Sequence, residues 1–279
     1  MNIGDYQIDF PLDAQFKLDG GAMFGVVPRT LWEQRVSPDD RNRIPLVSRP
    51  MLLRSSDRTI LVDTGIGGRW TEKERGIYAI ERADDGIVSA LSELGVSRCD
   101  VTDVLFTHLH FDHAGATTVD RNGNVELTFP EATHHIHREN WNWAQNPTER
   151  DQASYRKKDL EPIEEYGEFQ LLDGDTTFLP GIECVQVDGH TKGLQTIRVS
   201  GDDRELVYVT DLVPTSNHLP LPFIMGYDLW PLQTLEERKK LYGESSTKQL
   251  LFAFEHDPEV TVCSLNHDDE HPSVDRVFV

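Results

Sequence analysis

The sequence predicts an α/β fold, a four-layer αββα sandwich with two sheets face to face and helices outside. Three observations carry that prediction. Strand-like runs alternate with helical patterns in both halves of the chain. Each half holds several strands, and two half-buried sheets are stable only when their apolar faces cover each other. Histidines and aspartates stand directly after apolar runs in both halves, where loops gather over a sheet edge. No repeat and no low-complexity linker divides the 279 residues, so residues 1–279 are expected to form a single domain.

In chain order, Tyr6–Phe10, Pro50–Arg54 and Thr59–Val62 read as strands, and the last runs into the turn Asp63-Thr64-Gly65-Ile66-Gly67. Ile87, Leu91 and Leu94 recur at helical spacing, and Gly95 ends that helix. Val104–Phe106 is a short buried strand. His134–His137 is another, with a helix from Arg138, and Asp151–Glu165 is polar and helical. Glu183–Val187 is a strand, and Gln195–Val199 with Glu205–Val209 predicts a hairpin through Gly201-Asp202-Asp203. Thr234 with Glu237 matches a capping box for a helix through Leu241. A further helix is expected over Thr247–Glu255, then a strand over Val260–Ser264.

The segment Thr107-His108-Leu109-His110-Phe111-Asp112-His113-Ala114-Gly115 puts three imidazoles and one carboxylate within six positions. On an extended segment His108 and His110 share a face, and Asp112 and His113 can turn toward the same point. An ordinary core strand would not gather such groups without an ion to neutralise and bond them. Imidazole suits zinc, copper, iron and nickel, and carboxylate adds a harder oxygen. His190, Asp211 and His256 stand in similar settings, each after a regular element, although each alone could equally cap or turn the chain.

Composition narrows the function. Hydrophobic residues make up 38% and charged residues 27%, ordinary for a globular protein, and no apolar run approaches the roughly 20 residues of a membrane span. A net charge of −21 repels phosphate backbones and argues against a nucleic-acid partner. Cys99, Cys184 and Cys263 are widely separated, so no disulfide framework is expected. With no signal-peptide pattern before Leu18, the simplest expectation is a cytoplasmic protein.

Together these residues resemble the metallo-β-lactamase fold superfamily. Its His-x-His-x-Asp-His signature stands here as His108, His110, Asp112 and His113, and its later ligands map onto His190, Asp211 and His256. The resemblance implies the αββα fold and two divalent ions, zinc by default, with iron, manganese or cobalt as alternatives. One ion would be held by His108, His110 and His190. The other would be held by Asp112, His113 and His256, with Asp211 bridging. It also implies attack by a metal-bridging hydroxide, with Asp112 holding the nucleophile and passing its proton to the leaving group.

Asp19-Gly20-Gly21-Ala22-Met23-Phe24-Gly25-Val26-Val27-Pro28, Asp211-Leu212-Val213-Pro214-Thr215 and His218-Leu219-Pro220-Leu221-Pro222 look like the branch of N-acyl-homoserine lactone lactonases and methyl parathion hydrolases. The substrate implied is a small lactone or ester, and relatives of this kind allow a homodimer. Met23, Phe24, Leu219, Leu221, Pro222 and Phe223 line an acyl-chain cleft or simply belong to the core. Lactonases of this superfamily often carry a tyrosine shortly after the bridging aspartate. Pro214 and Thr215 stand there instead, which leaves His218 or Tyr227 to bind the substrate carbonyl oxygen. Asp63 either orients a ligand histidine or caps its own turn. His134, His135 and His137 are read as structural, and His267 and His271 as solvated.

Phosphotriester or phosphodiester hydrolysis on the same ions is the alternative reaction, and a non-catalytic metal-binding module is the alternative class. Structural zinc sites are closed sets of four ligands, rich in cysteine; seven histidine and aspartate donors leave room for water, which favours catalysis.

Overall fold

The computed structural model describes residues 1–166, 169–202, 204–248, 250–267 and 272–278. The chain divides into two compact units. The first comprises Met1–Phe16 and Val47–Gly174, and the second Lys17–Leu46 and the chain from Asp175 onward. Each contains a mixed seven-stranded sheet and helices, the mixed α/β class that the alternating pattern predicts.

In the first unit the strand order is Asn2–Ile3, Tyr6–Asp9, Met51–Arg54, Thr59–Val62, Asp103–Leu105, Thr133–His137 and Phe169–Leu172. Thr59–Val62 and Thr133–His137 both run parallel to Asp103–Leu105. Parallel strands are covered on both faces, which is why Ile60, Leu61, Val62, Val104 and Leu105 form continuous apolar runs with no exposure. Leu61 and Val104 join Ile87 and Leu91 of the helix Ile87–Glu93, with Leu160 and Ile163 of the helix Lys157–Tyr166, in one core.

In the second unit the order is Thr176–Leu179, Ile182–Val187, Leu194–Ser200, Glu205–Tyr208, Leu250–Ala253, Val262–Asn266 and Ser273–Phe278. The predicted hairpin forms, with Ile197 opposite Tyr208 and Val199 opposite Leu206; Asp203 of its turn lies outside the described residues. The helix expected over Thr247–Glu255 is absent. Leu250–Ala253 is instead a central strand, parallel to Glu205–Tyr208 and antiparallel to Val262–Asn266. A short, uniformly apolar run buried on both faces has neither helical nor alternating periodicity, so pattern cannot choose between them.

The capping box is also absent. The helix begins earlier and spans Pro231–Ser245, with Pro at its start and no side-chain cap at Trp230. Thr234 and Glu237 are spent on distant partners described below. No helix among the described residues is long and apolar enough to cross a membrane.

Candidate metal centre

The first unit assembles His108, His110, Asp112 and His113 where the chain leaves the strand Asp103–Leu105 and enters the single helical turn Phe111–Ala114. His110 caps that turn in extended conformation, which keeps it beside His108 while Asp112 and His113 follow on the helix. The ring of His108 lies 4.5 Å from that of His110 and 4.0 Å from that of His113, and His113 Nε2 is 3.9 Å from an Asp112 oxygen. All four residues are buried. Asn140 accepts from the Leu109 amide at 2.9 Å, and Ser48 Oγ donates to the Asp112 carbonyl at 3.1 Å, so the backbone between donors is pinned on both sides.

Asp63 reaches out of its own turn to hold the segment that carries the early histidines. It sits at φ 60, a left-handed turn that a short carboxamide or carboxylate residue tolerates. Its carboxylate accepts from the Thr107 amide at 2.8 Å, from the Thr107 hydroxyl at 2.7 Å and from His113 Nδ1 at 3.0 Å. Because the Thr107 hydroxyl donates to Asp63, its oxygen accepts from His108 Nδ1 at 3.1 Å. One carboxylate therefore fixes Nδ1 as the protonated nitrogen of both His108 and His113. Each lone pair is left on Nε2, the arrangement that prepares a histidine for metal ligation.

The second unit assembles His190, Asp211 and His256. His190 follows the strand Ile182–Val187, Asp211 sits in the single 3-10 turn Thr210–Leu212 after Glu205–Tyr208, and His256 follows Leu250–Ala253. The predicted helix before His256 is thus a strand, and all three donors stand at strand ends. Asp211 faces His190 Nε2 at 3.0 Å with one oxygen and His256 Nε2 at 3.1 Å with the other. Asp228 accepts from His190 Nδ1 at 2.8 Å and from the Thr234 hydroxyl at 2.7 Å. Glu237 accepts from the Asp188 and Gly189 amides at 2.8 and 3.1 Å, holding the loop that leads into His190. In the sequence Asp228 stands in Gly226-Tyr227-Asp228 after the Asp211 segment with no role assigned, and nothing local signals these partners of Asp228, Thr234 and Glu237.

The His190–Asp211 contact tests whether a cation belongs here. A carboxylate only accepts, so Asp228 takes the Nδ1 proton and a neutral His190 would aim its Nε2 lone pair at an anionic oxygen 3.0 Å away. That contact is repulsive unless a proton or a metal ion lies between. Burial alone would lower the His190 pKa, but Asp211 and Asp228 outweigh it and hold it up to about 10. The donor set, imidazole nitrogens with carboxylate oxygens and no thiolate, suits a borderline divalent ion.

His218 does not join this group. It is fully buried, its Nδ1 is 2.7 Å from the Thr215 hydroxyl, and its Nε2 is 3.0 Å from the Met23 carbonyl. Its ring stacks on Phe24 at 4.5 Å, and Phe24 stacks in turn on Trp32 at 5.3 Å. Burial, then the Arg238 charge, push its pKa down to about 3. With both nitrogens engaged inside the protein, His218 cannot bind a substrate carbonyl, and the expected catalytic role gives way to a packing role. Met23, Phe24 and Leu219 belong to the core, while Leu221, Pro222, Phe223 and Tyr227 keep some exposure.

His134 stacks on Phe106, His135 Nε2 pairs with Asp103 at 2.9 Å, and His137 Nε2 accepts from the Gly174 amide at 3.1 Å, all structural as expected. His267 is partly buried against the Ser245 hydroxyl at 2.8 Å rather than solvated, and His271 lies outside the described residues.

The metallo-beta-lactamase superfamily model matches residues 43–264. The N-acyl homoserine lactonase AiiA of Bacillus thuringiensis subsp. kurstaki is 26% identical over 222 residues, covering 75% of this chain and 80% of its own. A probable metal-dependent hydrolase of Staphylococcus aureus has a solved structure that superposes with a TM-score of 0.88 at 27% identity, covering 100% of both chains. AidC, a dizinc quorum-quenching lactonase solved with the product N-hexanoyl-L-homoserine, superposes with a TM-score of 0.82 at 20% identity, covering 100% of this chain and 97% of its own.

Proposed function

We propose, for a chain that belongs to the metallo-beta-lactamase superfamily, that it is a dinuclear metallohydrolase opening the lactone ring of N-acyl homoserine lactones. In this reading the two units act as one hydrolase domain over residues 1–279. His108, His110 and His190 would hold one ion and Asp112, His113 and His256 the other, with Asp211 offering an oxygen to each set. Zinc is the ion favoured by the donor types. The observation that carries the reading is the buried His190 imidazole, which faces Asp211 and Asp228 on opposite nitrogens and takes a proton or a metal ion on the Nε2 side, within a donor set of imidazoles and carboxylates.

Two bound divalent ions supply a nucleophile at neutral pH and polarise the substrate oxygen. The protein's own part is orientation and proton transfer. Asp63 and Asp228 fix the tautomers of His113 and His190, so both present Nε2. The Asp112 carboxylate, at the start of a helical turn, accepts the proton of the attacking water and returns it to the ring oxygen when the acyl–oxygen bond breaks. Lactone opening then yields a carboxylate and a free hydroxyl with no other reactant than water.

The cysteines fit a reducing, cytoplasmic setting. Burial pushes the Cys184 and Cys263 thiols up to about 12, and Cys99 is exposed and unpaired.

The test measures metal content, then turnover on N-acyl homoserine lactones of graded chain length beside an aryl phosphotriester and a thioester. Two ions per chain with lactone turnover fastest supports the proposal. Fastest turnover of the phosphotriester makes the protein an esterase of that class on the same ions. Two ions with no turnover of any substrate makes it a metal-binding module.

A further inference from the structure

Arg238, in the helix Pro231–Ser245, is fully buried, a position that an apolar side chain would normally hold. Among the described residues no carboxylate lies within ion-pair distance of it. Its bonds go to main-chain carbonyls: Nε donates to Leu212 at 2.6 Å, and Nη1 donates to His218 at 2.9 Å and to Phe223 at 2.8 Å. One turn on, the Tyr242 hydroxyl donates to the Leu219 carbonyl at 2.9 Å. All four acceptors belong to one segment, which begins immediately after Asp211.

The residue just before Asp211 explains why that segment needs holding. Thr210 sits at φ 42 with no exposure. A β-branched residue in the left-handed region is a true outlier, kept there only when its surroundings over-determine it. The local bonds are modest: Leu212 N to the Val209 carbonyl at 3.1 Å and Val213 N to the Thr210 carbonyl at 3.3 Å. The bond from Arg238 to the Leu212 carbonyl, at 2.6 Å, is shorter than either. Relaxation of Thr210 toward ordinary φ would rotate the next residue, and Asp211 would lose its two-sided contact with His190 and His256.

We propose that Arg238 is a positioning residue that holds the strained Thr210–Asp211 turn, and so aims the two Asp211 oxygens at His190 and His256. The proposal rests on the two-ion reading for its consequence, but its mechanism is testable without metal. Arg238→Lys keeps the charge but not the guanidinium fork, and Arg238→Met keeps the bulk but not the donors. Thr210→Gly removes the left-handed strain, so a chain carrying it no longer needs the latch.

The experiment makes both Arg238 variants with and without Thr210→Gly. It measures zinc affinity by competition with a chelating dye, and amide hydrogen exchange at residues 210–213 on the metal-free protein. Arg238→Lys is expected to speed exchange there, and to weaken zinc binding, by about tenfold or more, with the strand Leu194–Ser200 unchanged. Adding Thr210→Gly is expected to return both readouts to within about threefold of the Thr210→Gly parent. Unchanged exchange at 210–213, faster exchange throughout the unit, or no rescue by Thr210→Gly overturns the proposal. If neither Arg238 variant folds, folding restored by Thr210→Gly supports it, and failure of the double variants as well overturns it. A parent protein that binds no zinc defeats the two-ion reading, and the exchange measurement alone then decides the latch.

Discussion

Asp228→Asn isolates the electrostatic part of the second unit's donor set. Asp228 is buried, bonded to His190 Nδ1 at 2.8 Å and to the Thr234 hydroxyl at 2.7 Å. Asparagine keeps the shape: its oxygen can still accept from His190, and its amide can donate to the Thr234 oxygen. What is lost is the charge. A charge-assisted hydrogen bond contributes about 1.5–3 kcal/mol and a neutral one about 1, so the change removes about 0.5–2 kcal/mol. That energy is expressed where the imidazole donates its Nε2 lone pair, because the carboxylate raises its basicity. Zinc affinity should therefore fall by about 2–30-fold, and Asp228→Ala, which strands the buried Nδ1–H, should cost more, up to about 100-fold. The assay is zinc competition against a chelating dye, read beside circular dichroism to show that the fold persists. Equal affinity in the parent and Asp228→Asn, both folded, would refute the claim that His190 is a ligand prepared by Asp228.

Two further outcomes follow from the second unit. His218 has a folded pKa depressed to about 3 against 6.5 unfolded, so its contribution is present above pH 6.5 and is lost as pH falls toward about 3. Urea unfolding at several pH values in that window should show the parent losing up to about 1.4 kcal/mol per pH unit more than His218→Asn, and parallel slopes would contradict the assignment of a neutral core imidazole. Gly189→Ala would place a Cβ 2.4 Å from the Thr234 amide nitrogen and 2.6 Å from its Cα. Backbone must shift, so the melting temperature should drop, at a cost of about 1–3 kcal/mol, and zinc binding should weaken; a variant with the parent's values would show that the loop has slack.

Much of this was readable from residue order because it is local. His108 to His113 lie on one strand-to-helix turn, and the strands Thr59–Val62 and Ile182–Val187 declare themselves by β-branched, apolar composition. The misreadings share one cause, that distant partners outbid local pattern. Thr234 and Glu237 have capping-box spacing, yet Thr234 serves Asp228 and Glu237 serves the amides before His190. His218 stands shortly after Asp211, which suggested a substrate contact, but its Nε2 meets the Met23 carbonyl, 195 positions away, and its ring completes the Phe24–Trp32 stack. Leu250–Ala253 is apolar on every side, and only its neighbours in the sheet make it a strand. Arg238 gave no signal at all, because a lysine- and arginine-containing helix reads as a solvated face unless its carbonyl partners are known.

The most direct trial of the whole account is a crystal structure of the zinc-loaded protein with anomalous scattering recorded on both sides of the zinc edge. Two zinc peaks should appear, one bonded to His108, His110 and His190, the other to Asp112, His113 and His256, with Asp211 touching both. A single ion, or ions that leave His190, Asp211 and His256 unligated, would contradict it.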